Sequence, residues 1–348
     1  MPRIQKPFML CALFFMLLAT LQACEAPPKA KLKALIIDGQ NNHGVWPKTT
    51  IMMKNYLEET GLFEVDVERT DYMWIGPHYN KMEGVDDIND LLGMYPIDEQ
   101  GERTLVEEPK HDPNFSPDFK AYDVVISNFG WKTANWNEIT KKNFEDYMMN
   151  GGGFVLVHAA NNPWGDWEEF NKIIALGGWG GRGTHSGPYV YYDIKDELKH
   201  DTSDGPCASH GPQHEFQLKT RAPEHPIMKG LPDTWMHTKD ELYERMRGPA
   251  KNMTILATAF SGVEADATKE NKNEGRSGRH EPLLMAVEYG KGRVFHSALG
   301  HMDYSMECVG FITTLQRGAE WAATGKVTQS IPEDFPTSET LSSRKFKK

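Results

Sequence analysis

A chain of 348 residues with 39% hydrophobic and 25% charged residues has the composition of an ordinary folded domain and ample length for a core, which excludes disorder, a collagen-like repeat and a polytopic membrane protein. Its 49 acidic against 38 basic residues give a formal charge of −11, the wrong sign for neutralising phosphates over a broad surface, so no nucleic acid partner is expected. Four cysteines without a CxxC pair build neither a disulfide scaffold nor a structural zinc finger.

The chain opens with an address. Arg3 and Lys6 precede an apolar run from Phe8 to Leu21, the length of a signal-peptide core rather than of a membrane-spanning helix. The run ends in Leu21-Gln22-Ala23-Cys24, which resembles a bacterial lipobox with an unusual Gln22, and predicts that residues 1–23 are removed and Cys24 carries lipid. The alternative is a plain secretory signal with a chance cysteine. Residues 24–31, with Pro27 and Pro28, read as a tether, and the expected location is the cell envelope, on the membrane through the lipid anchor.

From Leu32 the pattern alternates. Leu32–Ile37 is a short apolar run closed by Asp38-Gly39, and Pro47–Glu59 has helical spacing with Pro47 in its first turn. Phe63–Glu68 alternates as a strand, and Tyr122–Ser127 is a continuous apolar run. Asn137–Met149 is a helix stopped by three glycines, and Phe154–His158 is a further buried strand. This succession predicts an α/β fold over residues 32–325, a doubly wound, mostly parallel sheet with loop insertions and added strands. Asp71–Phe119, rich in Asp, Gly, Pro and Asn, is too long for a connection and reads as an insertion near the rim of the site. Strand-like runs follow at Tyr189–Ile194, Glu215–Lys219, Thr254–Phe260, Leu283–Tyr289 and Arg293–Ala298, with a hairpin turn at Tyr289–Gly292. Cys308–Ala322 is an amphipathic helix, Glu264–His280 an exposed loop, and residues 326–348 a flexible tail.

In an open α/β sheet ligands bind beyond the carboxyl ends of the strands, so polar residues directly after the apolar runs are the candidates. Asp38–His43 and Trp46 follow the first strand; turn chemistry accounts for Asp38, Gly39 and Asn41 but not for His43 or Trp46. Asn128 and Trp131 follow the third, where a capped turn packed by a ring is an equal explanation. His158, Asn161 and Asn162 follow the fourth, and the small Ala159 and Ala160 leave His158 room to face a pocket. Asn41, His43, Trp46, Asn128, Trp131 and Asn161 are accordingly candidates for binding substrate.

Four separated motifs, in order, carry a resemblance. They are Gly151-Gly-Gly-Phe-Val-Leu-Val-His158-Ala-Ala, Glu224-His-Pro-Ile-Met-Lys-Gly-Leu-Pro232, Asp240-Glu-Leu-Tyr243 and Tyr289-Gly-Lys-Gly-Arg-Val-Phe-His-Ser-Ala-Leu-Gly-His301. Together they resemble the ThuA family, named for trehalose utilisation, over Leu32 to Gly325. The resemblance implies a class I glutamine amidotransferase-like fold, a flavodoxin-like sheet with additions. In the amidotransferases the strand-to-helix elbow carries a nucleophilic cysteine. Here the elbow holds His158, and an imidazole cannot form the thioester, so glutamine hydrolysis is disfavoured. The resemblance also puts functional weight on His158, His185 and His301, and on the Asp240-Glu241 pair.

The loop Gly178–His185 fits neither the P-loop nor the dinucleotide fingerprint, and reads as a flexible segment delivering Trp179, Arg182 and His185 to a pocket. His210–Glu215 has the atoms for a metal or acid–base cluster, with His214 and Glu215 as candidates; Pro212 argues against a zinc helix, and a surface turn is the alternative. Asp240-Glu241 reads either as an acidic cap or as part of a pocket where histidines beside carboxylates have the mixed proton affinities that proton transfer needs. Nine tryptophans, most in predicted loops, suit carbohydrate, whose C–H faces stack on rings. The expected function is sugar catabolism: action on glycosides or 3-keto-glycosides by histidine and carboxylate acid–base chemistry, through enolisation, isomerisation or elimination, alongside oxidoreductases that make the keto-sugar. The alternatives are hydrolysis by paired carboxylates, Glu215 with Asp240 or Glu241, and non-catalytic sugar binding at the surface. His158, His185 and His301 are the candidate ligands of a divalent metal such as zinc, and direct contact of the same residues with sugar hydroxyls is the alternative.

Overall fold

A continuous apolar strand needs cover on both faces, and in the computed structural model of this chain the first strands have it. The structure describes residues 1–2, 30–78, 82, 84–97, 101–262 and 276–348; the expected leader with Cys24, and most of the Glu264–His280 loop, lie outside them. The first elements are β1 (Leu32–His43), α1 (Trp46–Glu58) and β2 (Phe63–His78). The short α2 (Asp90–Met94) and β3 (Thr104–Leu105) lie within the insertion. β4 (Val124–Ser127), α3 (Glu138–Met149), β5 (Gly153–Val157) and α4 (Glu168–Ile174) complete the alternating half. Successive residues of β1 face opposite ways. Ala34 and Ile36 join Met52, Leu57 and Phe311 in one core, while Leu35 and Ile37 join Phe144, Phe154 and Ile173 in the other. Asn137 starts α3 by accepting the Thr140 N–H at 2.8 Å.

The second half supplies β6 (Tyr189–Tyr192), β7 (Leu198–Asp201), β8 (Ser209–His210), β9 (His214–Thr220) and β10 (Thr234–Asp240). β11 (Tyr243–Glu244), β12 (Met253–Ser261), β13 (Arg279–Tyr289) and β14 (Gly292–Ser297) follow, then α5 (Asp303–Met306) and α6 (Val309–Thr324). Among the described residues twelve strands form one sheet, ordered β10-β9-β12-β13-β14-β5-β4-β1-β2-β3, with β6 and β7 attached at β13. From β14 to β3 the pairing is parallel, and β2-β1-β4-β5-β14 is the flavodoxin-like order. The remaining strands are antiparallel additions, and Tyr289 pairs with Gly292 across the tight turn. Register shifts between β12 and β13 bend this part, and Asp240 at the end of β10 reaches back to the loop that follows β14. The winding reverses between β1 and β4, where the strand ends open a crevice.

The tail after α6 is held in place. Met236 N–H donates to the Thr337 carbonyl at 2.8 Å, Val309 N–H to Ser342 at 2.9 Å and Arg344 N–H to Glu307 at 2.8 Å. These grips are backbone bonds and bonds to buried carboxylates such as Glu320, which a search for apolar periodicity does not register.

Candidate functional site

Each strand that reaches the crevice delivers a polar side chain. β1 ends in Asn41, Asn42 and His43, β5 is followed by His158, β10 by Glu241, and β14 leads through Gly300 to His301. All four of His43, His158, Glu241 and His301 are buried, and one potential ligand atom from each lies within 4.8 Å of the others.

The orientation of each group is set from behind. His158 leaves β5 at φ +49°, a left-handed conformation that is costly for a residue with a Cβ and persists only where the surroundings enforce it. Its Nδ1 lies 2.9 Å from the Ala298 carbonyl, so N–H donates there and Nε2 carries the lone pair. That Nε2 is 2.9 Å from the Tyr243 hydroxyl, 3.1 Å from His301 Nδ1 and 3.6 Å from Glu241 Oε2. His43 Nδ1 is 3.2 Å from Asn41 Oδ1, which also accepts the His43 backbone N–H at 2.9 Å, and Nε2 is left as the free nitrogen. Gly130 permits this support, because a Cβ there would stand 2.1 Å from Asn41 Oδ1. His301 Nδ1 meets Glu241 Oε2 at 2.9 Å.

Asp240 is wholly buried and works on the backbone. Oδ1 accepts the N–H groups of His301 at 3.0 Å and Glu241 at 2.9 Å; Oδ2 accepts Gly300 N–H at 2.8 Å and faces His237 Nε2 at 2.8 Å. Gly300, at φ +104°, turns the chain so that two consecutive N–H groups meet one carboxylate. Asp240 thus positions Glu241 and His301 and presents no free oxygen to a ligand.

Burial, then the neighbouring His301 and His158, push His43 well below the usual histidine range, so it is neutral. Burial raises the Tyr243 phenol well above its ordinary value, with Glu241 adding to the effect, and the hydroxyl keeps its proton. Burial opposes ionisation of Glu241, but His158 and His301 outweigh it and hold the carboxyl well below the carboxylate range.

Above the floor opens a cavity of about 230 Å³, walled by Trp131 and Trp179 and lined also by Asn42, His43, His78, Asn162, His210, Glu241 and Tyr243. Trp179 stands edge-on to Tyr243 at 4.9 Å. Asn162 Oδ1 is buried without a protein partner, and its Nδ2 donates to the Tyr243 hydroxyl at 3.4 Å. His210 Nδ1 is 3.0 Å from the Gly211 carbonyl, which leaves its Nε2 free. His158 and His301 lie deeper, in a narrow pocket shared with His43.

The structure therefore brings His43, His158, Glu241, His301, Trp131 and Trp179 to the crevice. It does not bring His185, which is exposed on a short turn outside the cluster. Arg182 is buried and donates to Asn171 Oδ1 and the carbonyls of Asn162, Gly178 and Pro163, pinning the glycine-rich loop; burial lowers its pKa to about 10. Trp46 packs in the core under Arg69, with its indole N–H on the Trp74 carbonyl, and with Asn41 and Asn128 it also lines the narrow pocket of His158 and His301. Asn128 ties β4 to α1 through Trp46, Thr49 and Thr50, and Asn161 pairs with His296. His214 turns onto the Pro212 carbonyl and Glu215 is exposed, so neither lines the cavity. Asn42, Asn162, His78 and Tyr243 enter the site without being among the expected site residues, and His210 is the member of the His210–Glu215 run that reaches it. Asn42 and Asn162 stood beside strand ends, and Tyr243 closed one of the four motifs.

The ThuA family, described as trehalose utilisation, matches this chain over residues 33–322. The chain belongs to the ThuA family. A ThuA-like protein of solved structure from Parabacteroides merdae is 42% identical, and the match covers 90% of this chain and 98% of that one with a TM-score of 0.73. A ThuA-like protein from Bacteroides uniformis, 19% identical over 88% of this chain and 96% of its own, shares the fold with a TM-score of 0.50. No curated protein matches. All four floor residues fall inside the ThuA-matched region.

Proposed function

We propose that the chain processes a sugar or an oxidised sugar, a glycoside or 3-keto-glycoside, by acid–base chemistry in this cavity. One observation carries the reading: a single cavity has two tryptophan rings on its walls and a carboxylate, a phenol and imidazoles converging at its floor. The rings offer faces to sugar C–H groups, and the amides of Asn42 and Asn162 both donate and accept, as hydroxyls require. A 3-keto group acidifies the adjacent C–H. His210, half-buried with Nε2 free, takes that proton, and the electron pair passes to the carbonyl oxygen, to which Tyr243 turns the hydroxyl proton it otherwise gives His158 Nε2. Delivery of the proton to the former carbonyl carbon, with the neighbouring hydroxyl proton passing to the enolate oxygen, moves the carbonyl and gives isomerisation; departure of the glycosidic oxygen with the proton from His210 gives elimination. A pocket that only bound sugar would need rings and amides but no converging imidazoles.

The paired-carboxylate route lacks comparable support, since Glu215 is exposed outside the cavity and both Asp240 oxygens are engaged. Attachment to the envelope through Cys24, and sugar oxidoreductases that supply the keto substrate, belong to the same reading and rest on the sequence. The test is incubation in D2O with a panel of glucosides and their 3-keto derivatives, followed by product NMR. Deuterium beside the carbonyl and release of the aglycone are expected; an unchanged panel would refute the reading.

A further inference from the structure

We propose that His43, His158, Glu241 and His301 form a mononuclear site for a divalent transition metal of the zinc class, open toward the cavity. Three imidazole nitrogens and one carboxylate suit zinc and its neighbours, whereas magnesium and calcium take oxygen ligands. The ring nitrogen not aimed at the cluster is fixed in two of the histidines, His43 on Asn41 Oδ1 and His158 on the Ala298 carbonyl, as is usual for imidazoles that hold a metal. The other two residues are fixed by their backbones, both on Asp240.

The cluster is also short of protons. The lone pair of His158 Nε2, the Glu241 carboxylate and a ring nitrogen of His43 converge, and the donors facing them are the Tyr243 hydroxyl, the ring N–H of His301 and, 3.6 Å from Glu241 Oε1, His210 Nδ1. A cation satisfies all the acceptors together. The set differs from the one expected from sequence in that His43 and Glu241 stand where His185 does not reach. His43 and Glu241 also line the cavity while His158 and His301 lie beneath it, so a fifth coordination position, beyond the four protein ligands, would face the space assigned to the sugar. What the ion would do there, polarise a substrate oxygen, rests on the function proposed above; the site itself does not. With His158 Nε2 engaged as a ligand, the Tyr243 hydroxyl becomes available to that oxygen and His210 keeps its lone pair for the proton.

The test uses the full chain without a histidine tag, purified without chelator, then stripped and titrated with Zn2+, Co2+ and Mg2+. One zinc per chain, a rise in Tm with Zn2+ but not Mg2+, and a visible absorption band in the Co2+ form are expected. His43→Ala and Glu241→Gln should each weaken Zn2+ binding by about 100-fold or more, and the exposed His185→Ala should leave it unaltered. Asn41→Ala, which keeps every ligand but frees the His43 ring, should cost about tenfold. The Tm of each stripped variant, measured alongside, separates loss of a ligand from loss of the fold. Sub-stoichiometric zinc with no Tm shift, or full Zn2+ affinity in a folded His43→Ala, would overturn the site. Zinc bound at full stoichiometry without turnover of any sugar would remove the proposed function and keep the site; turnover with no metal bound would do the reverse.

Discussion

Asp240 holds His301 by its backbone, accepting the His301 N–H at 3.0 Å while the imidazole of that residue turns toward Glu241. Asp240→Asn keeps the shape but places an NH2 group against an N–H donor at a buried position. A loss of about 3 kcal/mol in urea unfolding is expected, together with reduced turnover as the loop at His301 shifts. Unaltered stability would show that the four bonds to this carboxylate contribute nothing.

His210→Gln removes the proposed base from a half-exposed wall. Turnover should fall by about 100-fold with Tm nearly unchanged. Tyr243→Phe preserves the ring packed on Trp179 and deletes only the hydroxyl, and should lower kcat more than it raises KM. His158→Asn, a residue that tolerates the left-handed backbone, should lose activity and some stability together, because it removes both the bond to Ala298 and the partner of Tyr243.

Trp131 lines the ligand space and is not one of the four floor residues. Trp131→Ala should raise KM roughly tenfold, about 1.4 kcal/mol of binding, with kcat little affected. An equal fall in kcat would mean that the ring orders the site rather than the sugar.

Burial lowers the pKa of His237, but Cys308 and Asp240 outweigh it and raise it to about 10. An unfolded histidine titrates near 6.5, so between about 6.5 and about 10 the folded chain holds the extra proton. The contribution of His237 to stability is complete below that window and declines as pH rises through it. Tm followed across the window should fall more steeply in the parent than in His237→Gln; parallel slopes would show that His237 does not carry the proton.

Cys24→Ser tests the lipobox. The parent protein should partition into detergent with the membrane fraction, and the variant should be released or stall in maturation; identical partitioning would refute the anchor.

The strand ends are legible because both faces of a parallel sheet leave unbroken apolar runs, so a histidine straight after one, as at His158, or in the short loop beyond one, as at His301, stands out. The parallel sheet and the added strands follow from the alternation of such runs with helical segments, and the flavodoxin-like order from the family resemblance. A tryptophan beside a strand end is equally a core residue, and Trp46 is both, stacked under Arg69 in the core and lining the narrow pocket of His158 and His301. His185 misled because the direction of the glycine-rich loop depends on the buried Arg182, whose four partners lie in other turns. His43 was seen as a sugar contact, not as a member of the cluster, because its neighbours His158 and His301 come from strands far away in the chain. Asp240 and Glu241 were read as a pair; the bend of the antiparallel strands gives one the backbone and the other the cavity.

The floor takes one residue at or just beyond the end of each of four strands spread along nearly the whole matched region. No two of them meet through a local turn, so the crevice exists only once the first and last parallel strands have closed into one sheet. Assembly through such distant pairings is slow, and a half-made chain carries no trace of the site. An occupant of the floor recognises the finished sheet alone and so adds its binding free energy to the stability of the whole domain. Emptying it lowers the melting of everything at once, and the crevice doubles as a gauge of complete folding.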